Sequence, residues 1–454
     1  MLLAIGFTSN SQSLGYQDLA ILFSQNDTNG SARFTAMSGA FGALGGDVSA
    51  INVNPAGLGI FTNSTFSATL NSRNTDNTTN YYENSIATQN QFFNLSHAGA
   101  VLVFDSAYST DWAKFAIGFN YRITKDFNNT FLTQGNSGVA TFREYPLDNN
   151  NPALDYFVAE QQTFSNTYRG EISEFNIGFS SVYQNKLYVG LGLNFYNLDF
   201  VQQSILTEFN NDIDGNELDV NLFQENYSVG TAFSANAGFI YKAHPNFRFG
   251  LAYQTPTWYS EILQDTNFNQ DNDIDIGETT FYQGNETYTE SNSWQYISYG
   301  LKTPSKLTAS AAFIFGKSGL LSFDYINKNY KNLRLSNAFF TEENQFFQNQ
   351  LRNTHNFNVG AEWRLDKFSI RAGYKFEQTP NNSATLDNQS VLNFNDVEGY
   401  SLGAGYNFGN FKLDFSYSDN NNSGLYNFYK GFTVNASSFQ IDNRTFTATF
   451  TLNL

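Results

Sequence analysis

The sequence predicts a transmembrane antiparallel β-barrel of about 14 strands with an N-terminal segment inside its lumen. Three observations lead to this fold class: segments in which apolar and polar residues alternate, connections that alternate between short and long, and a final strand that reaches the last residue. No run approaches the roughly 18 apolar residues of a membrane helix. A closed barrel is therefore the remaining way for this chain to cross a bilayer.

Composition excludes several classes of protein. The 454 residues include no cysteine, so the chain has no disulfide framework, thiolate metal site or cysteine nucleophile. A net charge of −17 argues against nucleic acid, whose phosphates require basic patches. Charged residues make up only 14% of the chain, whereas Phe and Tyr contribute 47 and 27 residues. This balance suits a barrel with an apolar outer wall.

Fourteen segments alternate with the period of two that a strand imposes. In one of them, Leu187, Val189 and Leu191 share one face while Gly190 and Gly192 share the other. The strands are predicted at 64–72, 94–104, 112–124, 170–183, 186–200, 225–242, 246–263, 304–316, 319–335, 353–365, 367–378, 396–408, 411–420 and 441–454.

The connections between these segments alternate in length, as in outer-membrane barrels with short periplasmic turns and long outer loops. The long connections are Asn-rich and lie near 73–93, 125–169, 201–224, 264–303, 336–352, 379–395 and 421–440. A soluble β-sandwich does not require such alternation. We therefore predict that the protein lies in the bacterial outer membrane, with lipid around the wall.

The two faces of the strands differ in charge. A Lys or Arg facing lipid at mid-depth would cost about 2–4 kcal/mol, so we expect the strand charges to face the lumen. Their predicted role is to stiffen the barrel or hold an internal plug, with ligand contact as the alternative. The residues concerned are Arg122, Arg248, Lys306, Asp324, Glu362, Arg364, Arg371, Lys375, Lys412 and Asp414.

The two ends of the chain differ from the barrel segments. An apolar stretch around Leu2 to Phe7, followed by small polar residues, predicts that 1–13 is a signal-peptide remnant, with a disordered soluble N-terminus as the alternative. The last strand alternates Phe450, Leu452 and Leu454 with polar residues. It resembles the signal by which the barrel-assembly machinery recognises its clients, so that machinery is an expected partner.

Residues 14–60 form a third kind of segment. A short helix is predicted from 16 to 24, and a stretch rich in Ala and Gly follows from 31 to 60, where backbone packs closely in a confined space. This stretch contains Asn54, Pro55 and Ala56. Gly45-Gly46 is not a phosphate loop, because no GxxxxGK[ST] pattern surrounds it.

With these residues, the sequence resembles the outer-membrane long-chain fatty acid transporter (FadL) family, in its Bacteroidota-type branch. The resemblance implies that 14–60 is a hatch inside the barrel (61–454), with Asn54, Pro55 and Ala56 as the hatch motif. It also implies passive, hatch-gated uptake of hydrophobic small molecules such as long-chain fatty acids. The ligand would leave sideways through a gap at a kinked strand. Gly118 is a candidate for the kink, but Gly is common on every lumen face, and an ordinary lumen-facing glycine is the alternative favoured here. Residues that contact the ligand are not assigned.

Two other classes of function compete with transport. The first is a non-transporting barrel subunit of a larger outer-membrane assembly, for example in protein secretion; the second is a soluble all-β adhesin. No enzyme is expected, since no Ser/His/Asp set has a nucleophile elbow. No cofactor or metal is expected either: His97, His244 and His355 lack metal-ligand spacing, and the acidic loop 265–278 departs from the EF-hand pattern.

Overall fold

Alternating apolar and small polar residues build a closed wall of 14 antiparallel strands in a computed structural model of the chain. The structure describes residues 13–106, 111–266, 277–291, 295–336, 340–382, 391–429 and 434–454. The predicted fold class is confirmed. The remnant predicted at 1–13 lies outside the described residues except for Ser13.

Each of the predicted strand segments coincides with one strand of the wall. Four strands are interrupted and consist of two pieces. The strands are β1 (Thr65–Tyr81), β2 (Asn84–Asp105), β3 (Trp112–Asp126 and Asn129–Gly135), β4 (Val158–Tyr183), β5 (Leu187–Asn211), β6 (Glu217–His244), β7 (Phe247–Gln254 and Trp258–Thr266), β8 (Gln295–Lys302 and Lys306–Phe315), β9 (Gly319–Asn329 and Arg334–Ser336), β10 (Asn353–Leu365), β11 (Phe368–Glu377), β12 (Val397–Asn407), β13 (Phe411–Tyr426) and β14 (Ser437–Asn453).

Pairing of the first strand with the last closes the barrel. Thr65 of β1 lies opposite Val101 of β2 on one side and Asn453 of β14 on the other. Alternation along β5 separates the faces, since Leu191 is 64% exposed and Asn194 is 1% exposed. Apolar residues therefore face lipid and polar residues face the lumen.

Several long connections were predicted wrongly. Strands β1 and β2 continue through 73–93 and are joined by residues 82–83 alone, and β5 and β6 continue through most of 201–224. Half of 125–169 likewise belongs to β3 and β4. Beyond the lipid both faces of a strand meet polar surroundings, so the apolar alternation stops although the backbone pairing continues. Sequence periodicity marked the membrane-embedded part of each strand and missed the rest.

The hatch lies inside the lumen. It consists of α1 (Tyr16–Leu22), α2 (Ala32–Ala36) and the 3₁₀ turns Val48–Asn52 and Pro55–Ile60. Its side chains bond to opposite walls: Arg33 to Glu362 of β10, and Asn52 to Glu174 of β4. The short helix predicted at 16–24 is confirmed by α1.

The remaining elements lie between strands on the outer side. They are α3 (Thr341–Gln350), the 3₁₀ turn Tyr330–Asn332, a hairpin (Glu278–Gln283 and Glu286–Ser291) that extends β6, and a short strand (Leu392–Phe394) beside β13. Within the described ranges, none of the helices is long and apolar enough to cross a bilayer. On β14 the lipid-facing side includes Phe450 and Leu452, and Leu454 follows the strand. Their role in assembly stays a prediction.

Candidate functional site in the barrel lumen

Asn54 of the hatch motif fastens the hatch to the wall. Its side-chain oxygen accepts a hydrogen bond from the N–H of Ala56 at 3.1 Å and so caps the turn that follows. Its side-chain amide donates to the carbonyl oxygens of Gly42 at 2.7 Å and Phe239 of β6 at 3.0 Å. One buried side chain therefore joins two parts of the hatch to one strand.

Pro55 and Ala56 pack against backbone rather than side chains. A Cβ atom at Gly190 of β5 would lie 2.3 Å from the backbone nitrogen of Ala56, so only glycine fits there. The hydroxyl of Ser180 on β4 donates to the carbonyl oxygen of Ala56 at 3.2 Å. The motif predicted to belong to the hatch thus lies in close contact with the wall.

Arg33 ties the hatch to the opposite wall through a buried carboxylate. Its Nε donates to Oε2 of Glu362 at 2.8 Å, and the Glu362 side chain is 1% exposed. Arg364 and Arg371 also donate to Glu362, each at 2.7 Å. Burial alone would lower the pKa of Arg33, but Glu362 and more distant carboxylates raise it above its ordinary value. Arg33 therefore stays charged and fixed.

Other lumen charges also stabilise the wall or hold the hatch, as their position on the polar face predicted. Asp324 of β9 accepts a hydrogen bond from the hatch N–H of Gly42 at 2.9 Å. Arg122 of β3 pairs with Glu174 of β4 at 3.1 Å, and Arg371 donates to Asp414 at 2.6 Å.

Strand β3 separates from β2 partway up the wall. Their ladder ends where His97 lies opposite Arg122, and among the described residues no backbone pairing joins 84–96 of β2 to the upper part of β3. Side chains of the β1–β2 hairpin donate instead to carbonyl oxygens on this freed edge. These bonds run from Arg73 to Asn128 (2.7 Å), Asn77 to Thr130 (3.1 Å), Thr79 to Leu132 (2.6 Å) and Asn90 to Thr130 (2.9 Å).

The upper part of β3 therefore lies on the lumen side of the hairpin, and the wall is left without backbone pairing at this place. We call this interruption between residues 84–96 and 123–135 the seam. On β2 beside it, Phe93 is 71% exposed and Leu95 is 48% exposed on the lipid-facing side. The seam thus begins near the outer edge of the apolar band.

A chamber of about 220 Å³ lies directly inside the seam, bounded by hatch residues 25–29, by 125–129 of β3 and by the strands across the lumen. Four cations line it, and three of them form ion pairs. The pairs are Arg73–Asp126 (3.2 Å), Lys125–Asp27 (3.1 Å) and Lys375–Glu377 (3.2 Å). The fourth cation, Lys328 of β9, makes no ion pair with any residue that the structure describes.

An apolar recess adjoins the chamber and shares part of its lining with it. Both contain Tyr168, Leu392 and Phe394, while Phe131 and Phe439 line only the recess. These residues border the aromatic cluster that surrounds α1 in the outer half of the lumen. The chamber and recess together therefore offer a cationic end and an apolar end.

The hatch separates this chamber from a second cavity at the periplasmic mouth. The lower cavity has a volume of about 550 Å³ and is lined by Arg33, Gly46 and Phe61 of the hatch region and by Asp366 and Asn453 at the short-turn ends. The hatch forms one wall of each cavity. In the present arrangement it closes the straight path between them.

Gly118 is not at the place where β3 bends. It lies in the regular ladder, opposite Val101 of β2 and Gly178 of β4, and a Cβ there would lie 2.6 Å from Leu58 of the hatch. Gly118 makes room for the hatch. The strand departs instead at 124–128, after a bulge between Ile123 and Lys125.

The histidines do not converge on a common ligand. His97 is buried on the lumen side with Nδ1 3.2 Å from the hydroxyl of Thr69, whereas His355 contacts the Tyr325 hydroxyl on the exposed face. Most of the acidic loop 265–278 lies outside the described residues.

Sequence reasoning placed Lys375 in the lumen but missed the other charged residues of the chamber. Arg73 and Lys125 lie in segments that were predicted to be loops, and Asp27 lies in the polar break between the hatch helices. Lys328 carried a usable signal, because it shares strand parity with the lumen-facing Asp324.

The chain is similar to known proteins in sequence and in fold. A family model described as outer membrane protein transport protein (OMPP1/FadL/TodX) matches residues 13–424. A Pseudomonas aeruginosa FadL homologue has a similar solved structure, with 15% identity, a TM-score of 0.58, and coverage of 95% of this chain and 99% of that chain. The Pseudomonas putida toluene transporter TodX is 12% identical, with a TM-score of 0.51 and coverage of 95% of this chain and 100% of that chain. The CymD monoaromatic hydrocarbon channel is also 12% identical, with a TM-score of 0.50 and coverage of 95% of this chain and 99% of that chain. At these identities the structures show a shared fold. No curated protein matches the sequence.

Proposed function

This chain belongs to the outer membrane transport protein family (OMPP1/FadL/TodX) and resides in the bacterial outer membrane, and we propose that it is a channel for passive, hatch-gated uptake of hydrophobic small molecules. No energy source is required, because an apolar solute moves spontaneously from water toward lipid.

The chamber behind the seam carries this proposal. A molecule inside it is separated from the membrane by hatch residues 27–29, the freed edge of β3 and the side-chain hydrogen bonds from the β1–β2 hairpin to that edge, rather than by strands joined through backbone pairing. Lateral exit through the seam would deliver an apolar molecule to lipid without exposing it to water. The hatch closes the direct route to the periplasm, so passage requires the hatch or the seam to move.

Within this class, we propose long-chain fatty acids as the ligand. The chamber contains the ammonium group of Lys328, which forms no ion pair within 4.0 Å of any described residue, and the adjoining recess is lined by Phe131, Leu392 and Phe439. A carboxylate head matches the cationic chamber, and the first part of an apolar tail matches the recess of about 30 Å³, because a charge-assisted hydrogen bond fixes one end and apolar burial favours the other. A neutral aromatic hydrocarbon would bring no anionic group to Lys328. Two of the similar structures are described as toluene or monoaromatic hydrocarbon channels, which makes toluene the right competing probe.

Uptake into proteoliposomes tests the proposal. Vesicles containing the full chain are mixed with radiolabelled oleate or radiolabelled toluene, and the initial rates are compared with those of protein-free vesicles. We expect faster oleate entry with the protein, and a loss of about 1.5 kcal/mol, roughly tenfold in affinity, in the Lys328→Met variant. The matched control is Lys331→Met, since Lys331 is exposed outside the lumen.

The outcomes separate the candidate functions. Acceleration of toluene but not of oleate would replace the fatty acid by a neutral hydrocarbon and keep the transport role. Rates equal to those of protein-free vesicles for both probes would contradict transport and favour a barrel subunit of a larger assembly.

A further inference from the structure

The hatch supplies the missing neighbour of β3 at the seam. Where β2 no longer pairs, the N–H of Asp27 donates to the carbonyl oxygen of Thr124 at 2.6 Å, and Oδ2 of Asp27 accepts from the N–H of Asp126 at 3.0 Å. The carbonyl of a strand residue and the N–H two residues on point to the same side. Asp27 therefore occupies the position that a residue of an adjacent strand would take.

Two further contacts hold the hatch against the freed edge of β3. Asn29 donates through its side-chain amide to the carbonyl oxygen of Ile123 at 3.1 Å, and the Lys125 ammonium lies 3.1 Å from Oδ1 of Asp27. Between them, Thr28 accepts a hydrogen bond from Lys375 on β11 at 3.3 Å. We call residues 27–29 the strap, since they cover the freed edge of β3 from inside.

The strap is held at both of its ends. On one side Phe23 packs against Phe127 of β3, with ring centroids 5.8 Å apart. On the other side the N–H of Ser31 donates to the hydroxyl of Ser49 at 2.6 Å within the hatch. Movement of the strap away from β3 thus requires the contacts of Asp27 and Asn29 to break, while the ends act as fixed points.

The ion pair of the strap faces the space where a ligand would lie. Asp27 and Lys125 both line the chamber, and their side chains are 31% and 17% exposed. Water and other charges can still reach both partners of a partly exposed ion pair, so they compete with the pair. A carboxylate that enters the chamber toward Lys328 is also such a competitor for Lys125, since both ammonium groups line the same space.

We propose that the Asp27–Lys125 pair is a latch on the seam that an anionic head group opens by replacing the Asp27 carboxylate on Lys125. This inference rests on the proposed transport function and adds a selection step to it. An anionic amphiphile both occupies the chamber and releases the strap, whereas a neutral compound of the same length occupies the chamber and leaves the strap in place. Lys125 and Asp27 are then the residues that determine specificity at the exit.

Hydrogen exchange of the freed edge measures the latch directly. The full-length protein in lipid nanodiscs is exposed to oleate or to oleyl alcohol, which has the same chain and no charge, and exchange is followed by mass spectrometry over 123–128. We expect oleate to accelerate exchange of the Asp126 amide roughly tenfold and oleyl alcohol to leave it unchanged. The Asp27→Asn variant should show fast exchange without any ligand.

A second variant and a control guard against trivial results. Lys125→Gln removes the ammonium group and therefore opens the latch permanently, so exchange of the Asp126 amide should be fast without ligand and oleate should accelerate it no further. Asp155→Asn breaks the exposed Arg143–Asp155 pair in an outer loop and should behave as wild type. Heat-modifiable gel mobility shows that each variant retains a folded barrel.

Binding of both probes is measured on the same samples by co-purification of radiolabel. If oleate binds and exchange does not change, or if both probes accelerate exchange equally, the latch is wrong and the transport role stands. If neither probe binds, the transport role is contradicted and the latch with it.

Discussion

Replacing Arg33 by Met should loosen the hatch without unfolding the barrel. Arg33 donates to Glu362 at 2.8 and 3.4 Å and to the carbonyl oxygen of Gly46 at 3.1 Å. Hydrogen bonds to charged groups contribute about 1.5–3 kcal/mol, and Met keeps the packing of the aliphatic stem. Glu362 keeps Arg364 and Arg371 as partners, so the larger cost of an unpaired buried charge, about 3–5 kcal/mol, does not apply.

We therefore expect a loss of roughly 2–3 kcal/mol in hatch docking, which corresponds to about a 30- to 150-fold rise in the population of the undocked hatch. Hydrogen exchange over residues 31–60, in the intact protein, measures this population. The control is Arg444→Met, because Arg444 lies in the middle of β14, is half-exposed and pairs with Asp76. Its removal should change hatch exchange by less than about 1 kcal/mol. Wild-type exchange of the hatch in the Arg33→Met protein would refute the anchoring role.

Three further predictions concern the hatch and its strap. Gly190→Val should displace the hatch motif and accelerate exchange of 54–60, because its Cβ would meet backbone at 2.3 Å, whereas the lipid-facing control Leu191→Val should not; equal exchange in both would count against close packing. Asn54→Ala should weaken hatch docking by about 1–3 kcal/mol through loss of a cap and two buried bonds, and an unchanged docking equilibrium measured by hatch exchange would contradict this. Burial favours a higher pKa for Asp27, but neighbouring cations and a backbone N–H hold that pKa below its ordinary value of 3.8. The Asp27–Lys125 ion pair should therefore be fully formed above pH 3.8. It should be lost as the pH falls through the lower pKa that Asp27 has in the folded protein. A nitroxide attached to Asn26→Cys, in a chain otherwise free of cysteine, reports the mobility of the strap as the pH is lowered. Release of the strap between pH 7 and 5 would contradict the role of the Asp27 carboxylate in the latch.

The membrane-embedded part of the fold could be predicted from sequence because lipid and lumen impose opposite chemistry on alternate residues. All the strands were found in this way, and the polar face correctly placed Glu362 and Asp324 in the lumen. This alternation of apolar and polar residues is not required where the strands extend beyond the lipid. The upper parts of β1, β2, β5 and β6 carry polar residues on both faces, so they were predicted to be loops.

The chamber and its strap were beyond sequence reasoning for a related reason. Asp27 and Lys125 are 98 residues apart, and each lies in a polar stretch without periodicity. Only the departure of β3 from β2 brings them together. The position of Gly118 did not predict where β3 separates from β2. Gly118 is required because the hatch packs against it, and the bend lies at 124–128.

Photo-crosslinking with a diazirine-bearing fatty acid tests the central claim most directly, because it records where cargo lies in the full-length protein in a bilayer. Peptides carrying the label are identified by mass spectrometry after brief illumination. The chamber and seam predict labels concentrated at 92–96 and 125–131, which include Phe131 of the recess, and a further label at Phe439 of the recess. Labels confined to lipid-facing residues such as Leu191 and Phe233 would show that the molecule only dissolves around the barrel, and would contradict passage through it.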